Sequence, residues 1–564
     1  MVSERLRMSA TTVLAGRRAI GDHAIPLLLF IGFFSLYSAT RTHFNTFDAV
    51  SYANQIERLY PRSHDPRWLF HPHHLLFNIS GAAAYAAARI CGWRGSALEC
   101  LEAINAAFAA FGIALFFRLL SRKTGSVLIA LAAALTGGLT YGYWVAATDG
   151  RVNTISAVLL LAAFSVLSPA GGRRSIAAAG IVGALAVLYH ESAALFVPVG
   201  TILAFFADVP GSKPPVKERI RNAAIFCGVC LGAVLAAYLV VGIAVLGMRS
   251  PHAFRHWATQ YAELGWWWDF HIGRNISLDR EALLQAIVVP SRPGAAPSAA
   301  GWLYSAAVFG CIAALLSLAA STFLLWRQDR ASVAGCWVWI LVYAAFFTVW
   351  SPGYFIFWIP VVLAAGILAF WGPAAASPKP AVRGAAAAVI LAWCACVGSQ
   401  NATAGIRPHL RAGSSPFQRV AADIKTHTRP GDLVVLTGEG DLAECEVNIP
   451  YFGDRDAISL HTMLARRDED PGATKAAVRA EIETAMRGGH NIYMLDEAHN
   501  PAGASALLIA RHPAATVSFL RDLFAPWTSA VAWRSDHGPV WKLKERQATK
   551  KGAPSQRSHP SSEN

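Results

Sequence analysis

Residues 175–207 read SIAAAGIVGALAVLYHESAALFVPVGTILAFFA, a 33-residue stretch whose only acid or base near neutral pH is the adjacent pair His190 and Glu191. At about 1.5 Å per residue a single helix of this length would run about 50 Å, well beyond the ~30 Å apolar thickness of a bilayer. Two short helices fit. The stretch therefore predicts a helical pair that turns near His190-Glu191.

Working outward, apolar runs of helical length recur at 24–39, 101–120, 126–147, 155–167, 223–246, 302–325, 333–350, 354–370 and 385–397, which with 176–189 and 195–206 makes eleven. With 54% hydrophobic and 15% charged residues the chain is too apolar for a soluble globular protein. The fold class is a polytopic α-helical membrane protein of about eleven transmembrane helices. Its net charge of +14 then serves first to fix orientation and meet anionic headgroups, and nucleic acid is not an expected partner.

The positive-inside rule sets the topology. If 75–91, rich in Ala and broken by Asn78 and Gly81, does not cross, one face collects the amino terminus, Arg118/Arg122/Lys123, Arg173/Arg174, Lys213/Lys217/Arg219/Arg221, Arg327/Arg330 and Lys379/Arg383. The short turns opposite, around Asp149, His190 and Ser351, hold only Arg151. Segment 75–91 is thus read as interfacial or re-entrant. Residues 1–23 form a cytoplasmic basic segment leading into an uncleaved first span, and 24–398 the transmembrane domain, with outer loops 41–100 and 248–301. Trp257, Trp266, Trp267 and Trp268 in the second loop suit an interfacial aromatic belt.

From 399 to 545 the composition is that of a soluble domain, expected outside the membrane as an α/β fold. Helices are expected at 417–426 and 474–487, and strands at 433–437, 457–460 and 491–495. Gly438-Glu-Gly-Asp441 lacks the spaced glycines and lysine of a phosphate loop. The chain turns polar and basic from Lys542, and 546–564 is expected to be disordered. Cys227-x-x-Cys230 lies in an apolar run and reads as helix-packing residues, with no metal assigned. Cys91 and Cys100 fit either a disulfide in an extracytoplasmic loop or two free thiols.

In this topology the unusual polar residues gather on the outer face. They are Asp48, Tyr52, His71, His73 and His74 in the first loop, Asp149, Arg151 and Asn153 in the second outer turn, His190 and Glu191 in the third, and His271 and Arg274 in the large loop. Ionisable residues beside a bilayer are costly and mark function by default. A carboxylate at the lip of an apolar pocket is tuned toward a general base, while Arg and His suit a phosphate. A His-x-His metal site with Asp65 or Asp48 is the competing reading of the histidines, and substrate contact is the preferred one. His190 and Glu191 fit equally a substrate contact or a mutually paired turn. No cofactor is called for.

The motif Phe47-Asp48-x-x-x-Tyr52 after the first span, His71-Pro72 opening a helix in the same loop, the basic end at Arg118–Lys123, and Asp149 at the outer end of the third span together resemble the GT-C superfamily of polyprenyl-phosphate-sugar-dependent glycosyltransferases. The likeness is to members similar to protein mannosyltransferases and to aminoarabinose or galacturonic acid transferases, and covers about 24–397. It implies an inner-membrane enzyme with a polyprenyl-phosphate-linked sugar donor and an extracytoplasmic acceptor. It further implies Asp48 as the acceptor-activating base, Asp149 as a second active-site carboxylate and His190 as a partner of the donor phosphate. Many relatives carry two acidic residues in the first-loop motif, or a Lys near the third outer turn, where this chain has Asp48 alone and His190-Glu191. A transporter or flippase is the alternative, disfavoured because the polar groups sit at one face and no internal repeat is visible. A surface-polysaccharide polymerase or ligase would be expected to rely on Arg and His of the large loop.

Overall fold

The computed structural model describes residues 23–167, 173–207, 215–263, 265, 267–290, 299–466, 470–499 and 504–546. The basic amino terminus through Asp22, Lys213, Trp266 and the tail beyond Arg546 lie outside them. The chain forms two units, Met1–Ser415 and Pro416–Asn564.

In the first unit every one of the eleven apolar runs is helical. The helices are α1 (His23–Ala39), α2 (Phe47–Asn54), α3 (Phe77–Ile90), α4 (Ala97–Thr124), α5 (Val127–Leu139), α6 (Tyr141–Ala147), α7 (Asn153–Leu167), α8 (Arg173–Tyr189), α9 (Glu191–Phe205), α10 (Val216–Val245), α11 (Pro251–Glu263), α12 (Ile272–Ile287), α13 (Gly301–Leu325), α14 (Arg330–Val349), α15 (Phe355–Ala376) and α16 (Pro380–His409). Among the described residues six, α4, α10 and α13 to α16, are individually long and apolar enough to cross a membrane, and α5 with α6 makes a seventh, bent by 66°. Eleven crossings require α1, α7, α8 and α9, of 15 to 17 residues, to span as well. Helix α3, from the 75–91 segment, has 14 residues and so extends about 21 Å, shorter than a bilayer's apolar layer.

The unit is apolar both inside and out. Tyr37, Phe164, Trp339 and Tyr343 are buried at its centre, while Leu231, Leu235, Phe309, Leu316, Phe323 and Val389 on α10, α13 and α16 are exposed. Helices hydrophobic all round belong in lipid. Cys230 is buried and its Sγ packs beside Gly183 of α8, and Cys227 lies 2.9 Å from the Thr201 hydroxyl, so this pair does pack helices together. Cys91 is an exposed free thiol and Cys100 a buried one.

Two breaks position the site. The α5–α6 bend falls at Thr140, whose ψ of 142° is extended rather than helical. Gly138 enables it by lacking a side chain: a Cβ there would lie 2.4 Å from the Phe33 ring, and its carbonyl accepts the Tyr37 hydroxyl at 2.8 Å. Helix α6 thereby leads into Asp149. The second break is at His190, extended at φ −161°, as the helical pair reading requires.

The second unit holds a five-stranded sheet in the order β2-β1-β3-β5-β4, with β1 (Leu433–Leu436), β2 (Asp456–Ser459), β3 (Ile492–Leu495), β4 (Trp527–Ser535) and β5 (Gly538–Glu545). Strand β1 pairs in parallel with β2 and β3, and β5 runs antiparallel to β3 and β4. Helices α17 (Pro416–His427), α18 (Leu460–Ala465), α19 (Pro471–Arg487), α20 (Ala504–Arg511) and α21 (Val517–Phe524) complete it. The β4–β5 hairpin corrects the reading of a polar tail from Lys542. Lys542 and Lys544 sit in β5 opposite Tyr493 and Thr528, so alternation across a sheet, not disorder, accounts for their charge.

Candidate functional site

The first loop and the turn after α6 are stitched together. Asp149 is buried and fully engaged: its Oδ2 accepts from the Thr46 hydroxyl at 2.7 Å and from Arg151 Nε at 2.9 Å, with Arg151 Nη2 at 2.8 Å, and its Oδ1 accepts from the Gly150 amide at 2.9 Å. Arg151 is likewise buried, and its Nη1 donates to the Tyr354 hydroxyl at 3.2 Å. The Asn105 amide of α4 donates to the carbonyls of both Asp149 and Arg151, each at 2.6 Å. An arginine held this way is a fixed cation, still charged at any working pH.

Asp48 is in a different state. It lies in the first turn of α2, where the helix dipole favours a negative charge, and its side chain is open to the surface. Among the described residues no hydrogen bond or ion pair reaches its carboxylate. Although the residue faces an opening, the protein crowded around it displaces part of its hydration and raises its carboxyl above the usual 3.8; Arg151 pulls it down and Asp149 pushes it up. Tyr52, four residues on and so on the same face of α2, is buried with its ring edge-on to His74 at 4.5 Å.

His71 stacks on His74 and His73 meets both rings edge-on, with ring centroids 4.3 to 4.7 Å apart, on a turn begun by Pro72. One ligand atom from each lies within 4.8 Å of the others, so the three are capable of holding a metal ion. Asp65 is not in that group and instead accepts from the Arg67 amide at 2.9 Å. Tyr261 of α11 hydrogen bonds His71 Nε2 at 2.9 Å. Burial lowers all three imidazoles, His71 to about 4, so they are neutral near pH 7.

His190 closes the ring. It is 6.4 Å from His73 and 6.3 Å from Phe357, which lies 5.0 Å from Tyr354. Its Nδ1 faces the Ser192 hydroxyl at 2.7 Å and the Ser192 amide at 3.2 Å, and burial lowers its pKa to about 4, so the ring is neutral near pH 7; an amide only donates, which favours the tautomer with its proton on Nε2. Two cavities adjoin. One, of about 670 Å³ counting its open mouth, is lined by Thr42, Phe44, Thr46, Asp149, Arg151 and Tyr354. The other, a narrow recess, is lined by Asn153, Ser156, His190, Ser192, Tyr343 and Phe357.

Tyr52, His71, His73, His74, His190, Arg151 and Asp149 are thus linked through successive ring contacts and hydrogen bonds, and Asp48 is near enough for its charge to be felt by Tyr52, Asp149 and Arg151. Glu191 follows His190 at the start of α9, and no hydrogen bond or ion pair joins these two among the described residues. His271 and Arg274 stand apart, exposed and both engaged with Asp269. Trp257 is buried against Tyr238 and Phe254 rather than at an interface, because the apolar face of α11 turns inward. Trp267 is exposed, and Trp268 packs on Trp350 at 4.8 Å. Sequence reasoning missed Tyr261, Tyr354, Thr46 and Asn105. Tyr354, in Ser351-Pro-Gly-Tyr354 of an outer turn already noted, was within reach of the same reading.

No family model matches the chain, and no curated protein does. Among solved structures it is similar to ArnT from Cupriavidus metallidurans bound to undecaprenyl phosphate, at 13% identity and a TM-score of 0.57, over 94% of this chain and 98% of that one. It is also similar to the Archaeoglobus fulgidus oligosaccharyltransferase tethered with an acceptor peptide containing the NVT sequon, at 12% identity and a TM-score of 0.51, over 94% of this chain and 75% of that one. The chain has the GT-C fold.

Proposed function

We propose that this chain is a multi-pass inner-membrane glycosyltransferase that moves a hexosyl or pentosyl group from a polyprenyl-phosphate carrier to an extracytoplasmic hydroxyl. Its amino terminus is cytoplasmic and its second unit periplasmic. The observation that carries the reading is the contrast between two carboxylates on a GT-C fold: Asp149 is saturated by Arg151 and its neighbours, while Asp48 nearby is free to accept a proton. The fold is shared with a protein whose structure holds undecaprenyl phosphate, which favours a donor of that class.

In this reading Asp48 takes the acceptor proton as the hydroxyl oxygen attacks the anomeric carbon and the bond to the phosphate oxygen breaks. The leaving phosphate gains charge at that moment. Arg151 is the fixed cation that answers it, with hydrogen bonds from Tyr354 and His190 Nε2. Tyr52 and the three histidines shape the wall beside Asp48. His271 and Arg274, tied to Asp269, are left to acceptor contact from the large loop.

Lipid-carrier profiling of a deletion strain tests this. One polyprenyl-phosphate sugar should accumulate, and should clear on return of the wild-type gene but not of Asp48→Asn. A strain with an unchanged lipid-linked sugar pool would sink the transferase and turn attention to transport.

A further inference from the structure

The transferase chemistry leaves one cluster of ligand-type side chains without a task, in the second unit. Glu439 follows β1 through the turn Thr437-Gly438, and His461 is the second residue of α18, directly after β2. Strands β1 and β2 are parallel neighbours, so both side chains come from the carboxyl ends of adjacent strands, the edge at which open α/β sheets place ligands. His512 joins them from the end of α20. Gly438 makes the approach possible: its φ is +77°, and a Cβ there would lie 2.1 Å from the Ser459 hydroxyl and 3.1 Å from His461 Cβ.

His461 Nδ1 lies 2.7 Å from Glu439 Oε1 and 2.9 Å from His512 Nε2, and the three ligand atoms are all within 4.8 Å of one another. His512 is fully buried and Glu439 nearly so. One ring nitrogen carries at most one proton and cannot give each neighbour a full hydrogen bond. A single cation would accept a lone pair from all three. Two imidazoles and one carboxylate are a common set for zinc and metals of similar preference. Metal–ligand distances of about 2.0–2.2 Å in a tetrahedron space the ligand atoms about 3.3–3.6 Å apart, so the two short separations here would open by roughly half an ångström or a little more on binding. The surroundings are acidic: Glu446 Oε2 also borders Gly438, and Glu497 accepts the Thr437 hydroxyl at 3.0 Å. The opposing cation is Arg511, 3.3 Å from Glu439 Oε1, whose side chain is 44% exposed and can turn to water.

We propose that Glu439, His461 and His512 bind a divalent transition-metal ion, Zn²⁺ or one of similar preference, leaving a fourth position for water or a ligand oxygen. The site stands independently of the transferase reading.

The test uses the full chain in detergent, stripped with chelator and reloaded with Zn²⁺ alone or Co²⁺ alone, with metal content read by mass spectrometry. One equivalent should be bound at this site, and Glu439→Gln, His461→Asn or His512→Asn should each weaken it about 100-fold or more, as loss of a direct ligand should exceed the 10–100-fold typical of an outer partner. His73→Ala should leave that equivalent in place, which separates this site from the histidines of the first loop. His512→Cys should keep the metal and add a thiolate-to-cobalt absorption band, a signal that misfolding does not produce. A metal content unchanged in all three ligand variants, or absence of that band in a monodisperse His512→Cys protein, overturns the proposal.

Discussion

Asp149 grips Arg151 through two nitrogens, Nε at 2.9 Å and Nη2 at 2.8 Å, both on the same carboxylate oxygen. Both partners are buried, and removal of one leaves the other charge stranded, typically at a cost of about 3–5 kcal/mol. Asp149→Asn should therefore lower the unfolding temperature in detergent as well as abolish transfer. Pairing it with Arg151→Met should restore much of the stability and none of the transfer. A single variant with wild-type thermal unfolding would refute the pairing as a structural element.

Asp48→Asn should behave in the opposite way. A base acts only as the bond forms, so kcat should fall about 10²–10⁴-fold while donor binding persists. Because the fold raises the Asp48 pKa, the ionised form is disfavoured when folded, and the destabilisation is present above the raised pKa and absent below the unfolded value of 3.8. The Asn variant should thus be more stable than wild type near pH 7, with the difference vanishing as pH falls below 3.8. Near-normal turnover at saturating substrates would remove Asp48 from the mechanism.

On the proposed mechanism the pH profile of the wild-type protein should carry the same signature. Since the base must be deprotonated, the acid limb of kcat should lie above the ordinary carboxylate range, and rate should rise with pH through it. If the residual activity of Asp48→Asn keeps the same limb, another group is titrating.

His190→Ala removes the ring proposed to meet the donor phosphate and, with Nδ1, the cap on the Ser192 amide. An interaction made equally before and during reaction raises KM for the donor and leaves kcat alone. An unchanged donor KM would reduce His190 to a turn residue.

Orientation is checked by reporters. A periplasm-active fusion at Asn564 should be active and one near Lys217 silent. A cytoplasmic signal from a fusion near Gly95 would show that the segment containing α3 crosses.

The helical architecture was legible because lipid imposes one rule on every crossing segment, and all eleven runs obeyed it. The bend at Thr140 was not, since it depends on Phe33 filling the space that Gly138 leaves, a contact across more than a hundred residues. Asp48, Arg151 and the histidines of the first loop announced themselves by charge or ring type in an apolar setting. Tyr261 carries no such mark, and only the fold brings it to His71, whereas Tyr354 stands in an outer turn that the sequence already picks out, and the fold adds its bond to Arg151. His271 and Arg274 drew attention by residue type, yet Asp269, two and five residues before them, claims both locally. The β4–β5 hairpin was hidden because its outward positions are polar, so its alternation resembled a solvated tail.

The Asn105 amide that clasps the carbonyls of Asp149 and Arg151 fixes one side of the site in advance. An interhelical turn pinned to a membrane helix loses no further conformational freedom when a ligand arrives, so an anion meeting Arg151 encounters a template already set and avoids the entropic cost of ordering it. Asp48 instead heads a helical run that continues through Ser63, with its carboxylate unheld. On the proposed mechanism, adjustment to acceptors of differing shape would then fall to the Asp48 side chain, while the Arg151 side of the site stays constant.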